Sequence, residues 1–200
     1  LNGYREPRLE RALDRMLHRL TLATGIPLPG GNPAANATLV VNCTAASKPV
    51  QAYGEDESYR LEVTPAGARL NAANPLGVMR GLETFLQMVD QNADGFGLNA
   101  AVIEDRPRFG WRGLMLDVSR HWMPLPVVKR TIDGVAAVKM NVFHWHLCDD
   151  QGFRVESKRF PKLQQVGSDG NFYTQEQVRE VIDYARERGF GTAQPRKGAE

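Results

Sequence analysis

Two units of different fold class are predicted: a small α+β layer over residues 1–104, then α/β over residues 105–200, the start of a parallel sheet wound with helices. Three observations carry this. The first hundred residues run helix, strand, hairpin, helix, strand. A charged, proline-containing stretch, Glu104-Asp105-Arg106-Pro107-Arg108-Phe109, then breaks the pattern. After it the order is strand, helix, strand, helix, the opening of a parallel fold.

The elements follow in chain order. Leu9, Leu13, Met16, Leu17 and Leu20 stand at helical spacing, so Arg8 to Leu22 is an amphipathic helix. Thr24-Gly25-Ile26-Pro27 stops it. Pro29 to Ala35 is a Pro/Gly/Asn loop, and Leu39-Val40-Val41 is a strand. Tyr59, Leu61 and Val63 alternate, Pro65-Ala66-Gly67 turns, and Ala68 and Leu70 return, which makes a hairpin. Pro75 to Val89 is a helix with Leu82, Phe85, Leu86 and Val89 on one face, and Val102-Ile103 is a short closing strand. Beyond the boundary, Leu114-Met115-Leu116 fits a strand buried on both faces. Leu125 to Lys139 is a helix, and Asn141 to Leu147 is the next strand. Thr174 to Arg188 is a helix with Thr174 as N-cap and Gly189 as C-cap.

Composition narrows the function. Hydrophobic residues at 42% and charged residues at 24% describe a globular chain. The 25 basic and 23 acidic residues leave +2, with no basic stripe for a nucleic-acid partner. No apolar run approaches the roughly 18 residues of a membrane span. Cys43 and Cys148 are too few for a disulfide scaffold and are not spaced as a redox or zinc pair. Asn36-Ala37-Thr38 and Asn42-Cys43-Thr44 match the glycosylation sequon, a pattern common by chance. The chain opens on Leu1 without a signal-peptide pattern, so either a leader has been removed or this is a piece of a longer product.

In parallel α/β folds chemistry gathers past the carboxyl ends of strands. Two polar clusters stand there: Asp117-Val118-Ser119-Arg120-His121 and Cys148-Asp149-Asp150-Gln151. Arg120 carries five fixed donors, suited to vicinal sugar hydroxyls or a carboxylate; the plain alternative is an ion pair with Asp117 or Asp149. Asp149 and Asp150 are adjacent carboxylates whose repulsion needs a cation, a histidine or solvent. His144 and His146 share one strand face, with Trp145 on the other. Hydrogen-bonded imidazoles are favoured over a metal site, since no third ligand of clear spacing appears. His18 is a surface residue, and His121 is a substrate contact or a loop hydrogen-bonding group. Trp111 and Trp122 form either a platform for a sugar ring or ordinary packing. No G-x-S-x-G, phosphate-binding loop, H-E-x-x-H or dinucleotide fingerprint occurs.

Two blocks carry a resemblance. Trp111-Arg112-Gly113-Leu114-Met115-Leu116-Asp117-Val118-Ser119-Arg120-His121 resembles the first barrel strand of the family 20 glycoside hydrolases, the β-N-acetylhexosaminidases. Asn141-Val142-Phe143-His144-Trp145-His146-Leu147-Cys148-Asp149-Asp150-Gln151-Gly152-Phe153-Arg154 resembles the second strand and its loop. Their separation fits as well, Arg120 and Asp149 being 29 positions apart. The first hundred residues, Asn74 to Thr84 above all, are similar to the family's small N-terminal α+β domain. The likeness covers roughly residues 5 to 190.

The resemblance implies a (β/α)8 barrel enzyme that removes terminal, non-reducing β-linked N-acetylglucosamine or N-acetylgalactosamine from glycans. It implies a retaining mechanism in which the substrate's own acetamido oxygen attacks the anomeric carbon, outside the two-carboxylate scheme. An Asp orients the acetamido group, and an adjacent Glu protonates the leaving oxygen and then activates water. No cofactor and no metal are implied. Arg120 resembles the arginine that binds the sugar's 3- and 4-hydroxyls. Asp149 resembles a supporting aspartate that hydrogen-bonds a later histidine, and His146 matches a position near the substrate. A secreted, periplasmic or lysosomal-type compartment accords with the family.

The sequence also departs from the family. The catalytic Asp-Glu pair lies in a Gly-Gly-Asp-Glu context, and the only Gly-Gly here is Gly30-Gly31. The later histidine, in a Pro-Gly-His context, does not occur either. After Phe190 the run Gly191 to Glu200 has no strand pattern. A closed barrel takes about 250 residues, and the second unit has room for two βα units. The expectation is therefore an incomplete β-N-acetylhexosaminidase, inactive as it stands. The alternative is a non-catalytic sugar-binding or assembly module. A third reading, an unrelated barrel enzyme using Asp149 and Asp150 as an acid pair or metal ligands, is the least favoured.

Overall fold

The computed structural model describes residues 1–28, 38–93 and 95–191. The chain divides after Gly110 into two compact units. The Pro29–Ala35 loop expectation, the sequon asparagine Asn36 and the terminal run after Gly191 lie outside the described residues.

The first unit runs β1 (Asn2–Gly3), α1 (Pro7–Thr24), β2 (Leu39–Cys43), β3 (Tyr59–Thr64), β4 (Gly67–Ala72), α2 (Pro75–Gln87), β5 (Asp90–Asn92), β6 (Gly95–Gly97) and β7 (Ala101–Asp105). Five strands form one sheet in the order β1-β2-β4-β3-β7. β1, β2 and β4 are parallel, and β3 runs antiparallel to both β4 and β7. The alternation Tyr59, Leu61, Val63 is buried while Arg60 and Thr64 face out, as the period of two requires. Register aligns Val41, Leu70, Leu61 and Ile103 as one apolar row across four strands. The second sequon asparagine, Asn42, lies inside β2, where its amide nitrogen donates to Asn71 Oδ1 at 2.7 Å.

Both helices pack into the apolar core of this unit. α1 buries Leu9, Ala12 and Met16, and Gly25 ends it in the left-handed region at φ 70° with its N–H on Thr21 O. Asn74 caps α2 by accepting from the N–H groups of Leu76 and Gly77, and Pro75 fixes the first turn. α2 has little polar surface because it lies hard against the sheet. A Cβ at Gly77 would stand 2.2 Å from the Ser58 carbonyl oxygen, and one at Gly81 2.3 Å from Leu70. The buried pair Arg80 Nε–Glu57 Oε2 at 2.6 Å ties the same helix to the segment before β3. β1 and the short β5–β6 pairing have no hydrophobic pattern of their own, and the sequence does not announce them.

The second unit runs β8 (Gly113–Asp117), α3 (Leu125–Ala137), β9 (Val142–His146), β10 (Cys148–Asp149), β11 (Gly152–Phe153), α4 (Lys162–Gly167) and α5 (Gln175–Arg186). β8 and β9 pair in parallel, Met115 opposite His144 and Asp117 opposite His146. Leu116, Phe143 and Trp145 pack against Val128, Ile132, Val135, Val181 and Phe190, the core built around α3 and α5. Thr174 caps α5 in a reciprocal capping box with Gln177. The helix ends at Arg186, and Gly189 takes the left-handed turn at φ 74° that follows.

One expectation needs correction. β8 is not buried on both faces: Met115 is 54% exposed and Leu114 38%. Among the described residues β8 has a strand partner, β9, on one edge, and the helices cover only the face that carries Leu116. The run after Phe190 has no strand pattern, and at its first residue Gly191 makes an isolated parallel bridge to Val142, beside β9. The backbone leads that pairing, since a glycine offers no side-chain pattern to read.

Replacing Gly77 with alanine should lower stability by about 1–3 kcal/mol, because the added methyl meets a backbone carbonyl that cannot swing aside. The urea unfolding midpoint reads this directly; an unchanged midpoint would mean that α2 can lift off the sheet without loss.

Candidate functional site

The second unit gathers its polar side chains at the carboxyl ends of β8 and β9. β8 ends on Asp117, and the next turn belongs to its carboxylate. Oδ1 accepts from the backbone N–H groups of Ser119 at 3.0 Å and Arg120 at 3.1 Å. This is the local aspartate turn that competes with regular structure wherever the side chain is short enough to reach two residues on. Oδ2 accepts from Arg120 Nη1 at 2.7 Å.

Arg120 is therefore held from three sides. Nη1 meets Asp117, Nη2 lies 2.6 Å from Asp149 Oδ2, and Nε donates to Gln151 Oε1 at 3.2 Å. Both ion pairs that the sequence offered as alternatives form together. A guanidinium has five N–H donors; three are engaged here and two remain. The side chain is half exposed.

Asp149 sits on a tight antiparallel pairing, with Cys148 opposite Phe153 and Asp149 opposite Gly152. Its Oδ1 accepts from the backbone N–H of Asp150 at 2.8 Å. His146 Nε2 lies 3.0 Å from Asp149 Oδ2. An ionised carboxylate only accepts, so Nε2 carries the proton in this contact. Arg120 and His146 thus answer the repulsion that Asp149 and Asp150 would otherwise suffer. His144 shares the strand face of His146, their rings 5.6 Å apart and edge to face.

The charges shift as this geometry requires. The Arg120 side chain and the backbone N–H groups beside it hold the Asp117 carboxyl below the ordinary value. The Asp150 N–H, then His146 and Arg120, do the same for Asp149. The Asp117 hydrogen bond, with the Asp149 and Asp150 charges, holds Arg120 above its ordinary value.

A second arginine binds the loops together. Arg154 is buried and donates to backbone carbonyls: Nη2 to Ser119 O at 3.1 Å, Nε to the same oxygen at 3.3 Å, and Nη1 to Ser168 O and Asn171 O. Ser119 Oγ donates to Gly152 O at 2.7 Å. Gly152 has to be a glycine, because a Cβ there would lie 2.6 Å from Arg154 Nε. Sequence reasoning quoted Arg154 and Gly152 but gave them no role. Gln151 and Ser119 were equally unassigned.

The tryptophan platform does not form at this end. Trp111 precedes β8 at its amino end and is 63% exposed. Trp122 packs on Tyr173, ring centroids 4.3 Å apart, and Trp145 lies 4.4 Å from the same ring. Burial pushes the Tyr173 phenol up to about 12, and its O–H donates to the Met123 carbonyl. His121 is exposed, and His18 lies exposed on α1. Among the described residues no three His, Cys, Asp or Glu side chains come together as a metal site, and no helix is long and apolar enough to cross a membrane.

Comparison with known proteins bears on both units. Residues 4–106 match the model of glycosyl hydrolase family 20, domain 2, and residues 109–191 match the catalytic domain of the same family. The β-hexosaminidase subunit beta of Homo sapiens is 47% identical over 138 residues, covering 68% of this chain and 25% of that protein. The subunit alpha of Bos taurus is 42% identical over 159 residues, covering 78% and 30%. The X-ray structure of the Flavobacterium johnsoniae chitobiase superposes with a TM-score of 0.89 at 47% identity, over 94% of this chain and 29% of that one. A Vibrio harveyi exo β-N-acetylglucosaminidase in complex with N-acetylglucosamine superposes at 0.76 and 29% identity, over 94% and 31%. The chain spans between a quarter and a third of the length of these relatives.

Two outcomes follow. Arg154→Met should lower stability by roughly 3 kcal/mol, since three carbonyls, those of Ser119 and Ser168 in buried contacts, lose a charged donor; thermal unfolding of the variant checks it, and an unaltered midpoint would contradict it. Acid should break the Arg120 cluster late. The Asp117 and Asp149 pKa values are depressed, so their contribution is complete above the ordinary value of 3.8 and is lost only as pH falls through the lower, folded-state values. Carboxyl carbon NMR should place both titrations below 3.8.

Proposed function

The chain belongs to glycosyl hydrolase family 20, and from that membership we propose that these residues form the sugar-holding part of a β-N-acetylhexosaminidase site. The ligand is a glycan ending in N-acetylglucosamine or N-acetylgalactosamine. Arg120 binds ring hydroxyls, Asp149 orients a histidine that lies outside these 200 residues, and His146 borders the sugar.

One observation carries the reading. A half-exposed guanidinium with two spare donors stands where β8 and β9 end, fixed between Asp117 and Asp149. The charge around it selects the ligand. Three carboxylates, Asp117, Asp149 and Asp150, surround that one cation, so a carboxylate or phosphate ligand would meet net negative charge. A neutral polyol pays no such penalty, and its hydroxyls both accept from Arg120 and donate to the carboxylates. The N-acetylglucosamine bound in the Vibrio harveyi relative is a ligand of this kind.

In the proposed reaction the acetamido oxygen of the substrate attacks the anomeric carbon, the bond to the leaving oxygen breaks, and a glutamic acid protonates that oxygen. The Gly-Gly-Asp-Glu run that would supply this acid and its neighbouring aspartate does not occur in these 200 residues. The chain therefore grips the sugar without the groups that stabilise the charge developing at the transition state.

Hydrolysis of a chromogenic aryl 2-acetamido-2-deoxy-β-glucoside tests this. The purified 200-residue chain should release no chromophore. Turnover, with contaminating enzyme excluded, would overturn the reading. In a complete relative, replacing the arginine equivalent to Arg120 with alanine should weaken sugar binding by about 1.5–3 kcal/mol, the range for hydrogen bonds to a charged group. Unchanged KM and kcat there would remove Arg120 from the site.

A further inference from the structure

Arg120 is a long side chain on an exposed turn, and such a side chain normally samples many rotamers. A guanidinium that must present two donors to two hydroxyls gains little if it arrives disordered. Something has to fix it before the sugar binds, and three groups touch it: Asp117, Asp149 and Gln151.

They are not equivalent. Asp149 is shared with His146, so its Oδ2 serves two donors. Gln151 is exposed and reaches Nε through a single neutral contact at 3.2 Å. Asp117 is different. It ends β8 in register with His146, and its Oδ1 is pinned by the N–H groups of Ser119 and Arg120. Its other oxygen, Oδ2, takes Nη1 of the residue whose backbone the first oxygen already holds. One carboxylate thus fixes both ends of Arg120, main chain and guanidinium, with no other side chain competing for it.

We infer that Asp117 is a positioning residue: through its doubly anchored carboxylate it presets the Arg120 guanidinium so that the two remaining N–H donors face a neutral, hydroxyl-bearing sugar. The inference rests on the proposal that Arg120 is the sugar-binding arginine. The preset geometry itself can be measured without any ligand.

The substitution that isolates this effect is Asp117→Asn. Its side-chain oxygen can still accept from the two backbone N–H groups, so the turn survives, while the charge that holds Nη1 is removed. The experiment uses the ¹⁵N-labelled 200-residue chain, Asp117→Asn and Arg120→Ala. Two quantities are read: the order of the Arg120 Nε–H group by heteronuclear NOE, and the dissociation constant for N-acetylglucosamine by titration. Asp117→Asn should lower the unfolding temperature only slightly, mobilise the Arg120 Nε–H and weaken the sugar by roughly fivefold. An Nε–H as ordered in Asp117→Asn as in the parent overturns the inference, whatever the sugar does. A mobilised Nε–H with unchanged affinity overturns it as well, because the presetting would then serve no ligand. If Arg120→Ala binds the sugar as the parent does, or the parent binds none, the proposed function of Arg120 fails, and with it the sugar-directed part of this inference; the Nε–H order still decides whether Asp117 presets the guanidinium. These outcomes separate the two ideas.

Discussion

The parallel register of β8 and β9 sets everything else in the second unit. Asp117 stands opposite His146, and Met115 opposite His144. A slip of one residue would turn those four side chains toward the helices and bring Leu116 and Trp145 out. The helices prevent it. Leu116, Phe143 and Trp145 are committed to the core of α3 and α5, and Phe190 fills the same layer. The hydrophobic face thus fixes which face is left for polar groups. The two loops that leave the strands start from neighbouring points, and the 29 positions that separate Arg120 from Asp149 close to a 2.6 Å contact.

Charge then organises what the register brings together. Two of the acidic side chains take up defined partners instead of pointing into solvent. Asp117 closes its own turn and holds Arg120; Asp149 joins Arg120 to His146 and to the Asp150 backbone. These groups are partly exposed, so the individual ion pairs add little to stability. Their value lies in orientation. The guanidinium stands between two carboxylates, with Nη1 on Asp117 and Nη2 beside Asp149.

Much of this was legible in the sequence, and the limits have physical causes. The alternation in Tyr59 to Val63, the Asn74-Pro75 start of α2 and the Thr174 cap are local signals, and each appears where its residues demand. The same period of two put His144 and His146 on one face and Trp145 on the other. Arg120 and Asp149 were readable as candidates, though not their simultaneous contact. What could not be read depends on neighbours far along the chain. Trp122 packs on Tyr173, about fifty residues away, and so takes the packing role of the two its residue type left open. Met115 reads as core from composition but lies on the face that α3 and α5 do not cover. β10 and β11 are two residues each, too short for any periodicity, yet they place Asp149.

Arg120 and Arg154 are arginines of opposite kinds. Arg154 is buried, and the four contacts described for it end on main-chain carbonyls of three residues. Those acceptors belong to the fold. Replacing them with a ligand would open the loops at Ser119, Ser168 and Asn171. Arg120 makes its contacts with side chains, keeps two donors free and stays half exposed. A ligand can use those donors without breaking a bond the fold needs. Arg154 also explains how the site can be both exposed and ordered. It ties the turn after β8 to the loop before α5, while Ser119 Oγ ties the same turn to the β10–β11 pairing. The backbone under Arg120 and Asp149 is thereby fixed from below by neutral carbonyl contacts. The charged groups above it are held by side chains instead, so acid can alter them while the scaffold beneath stays in place.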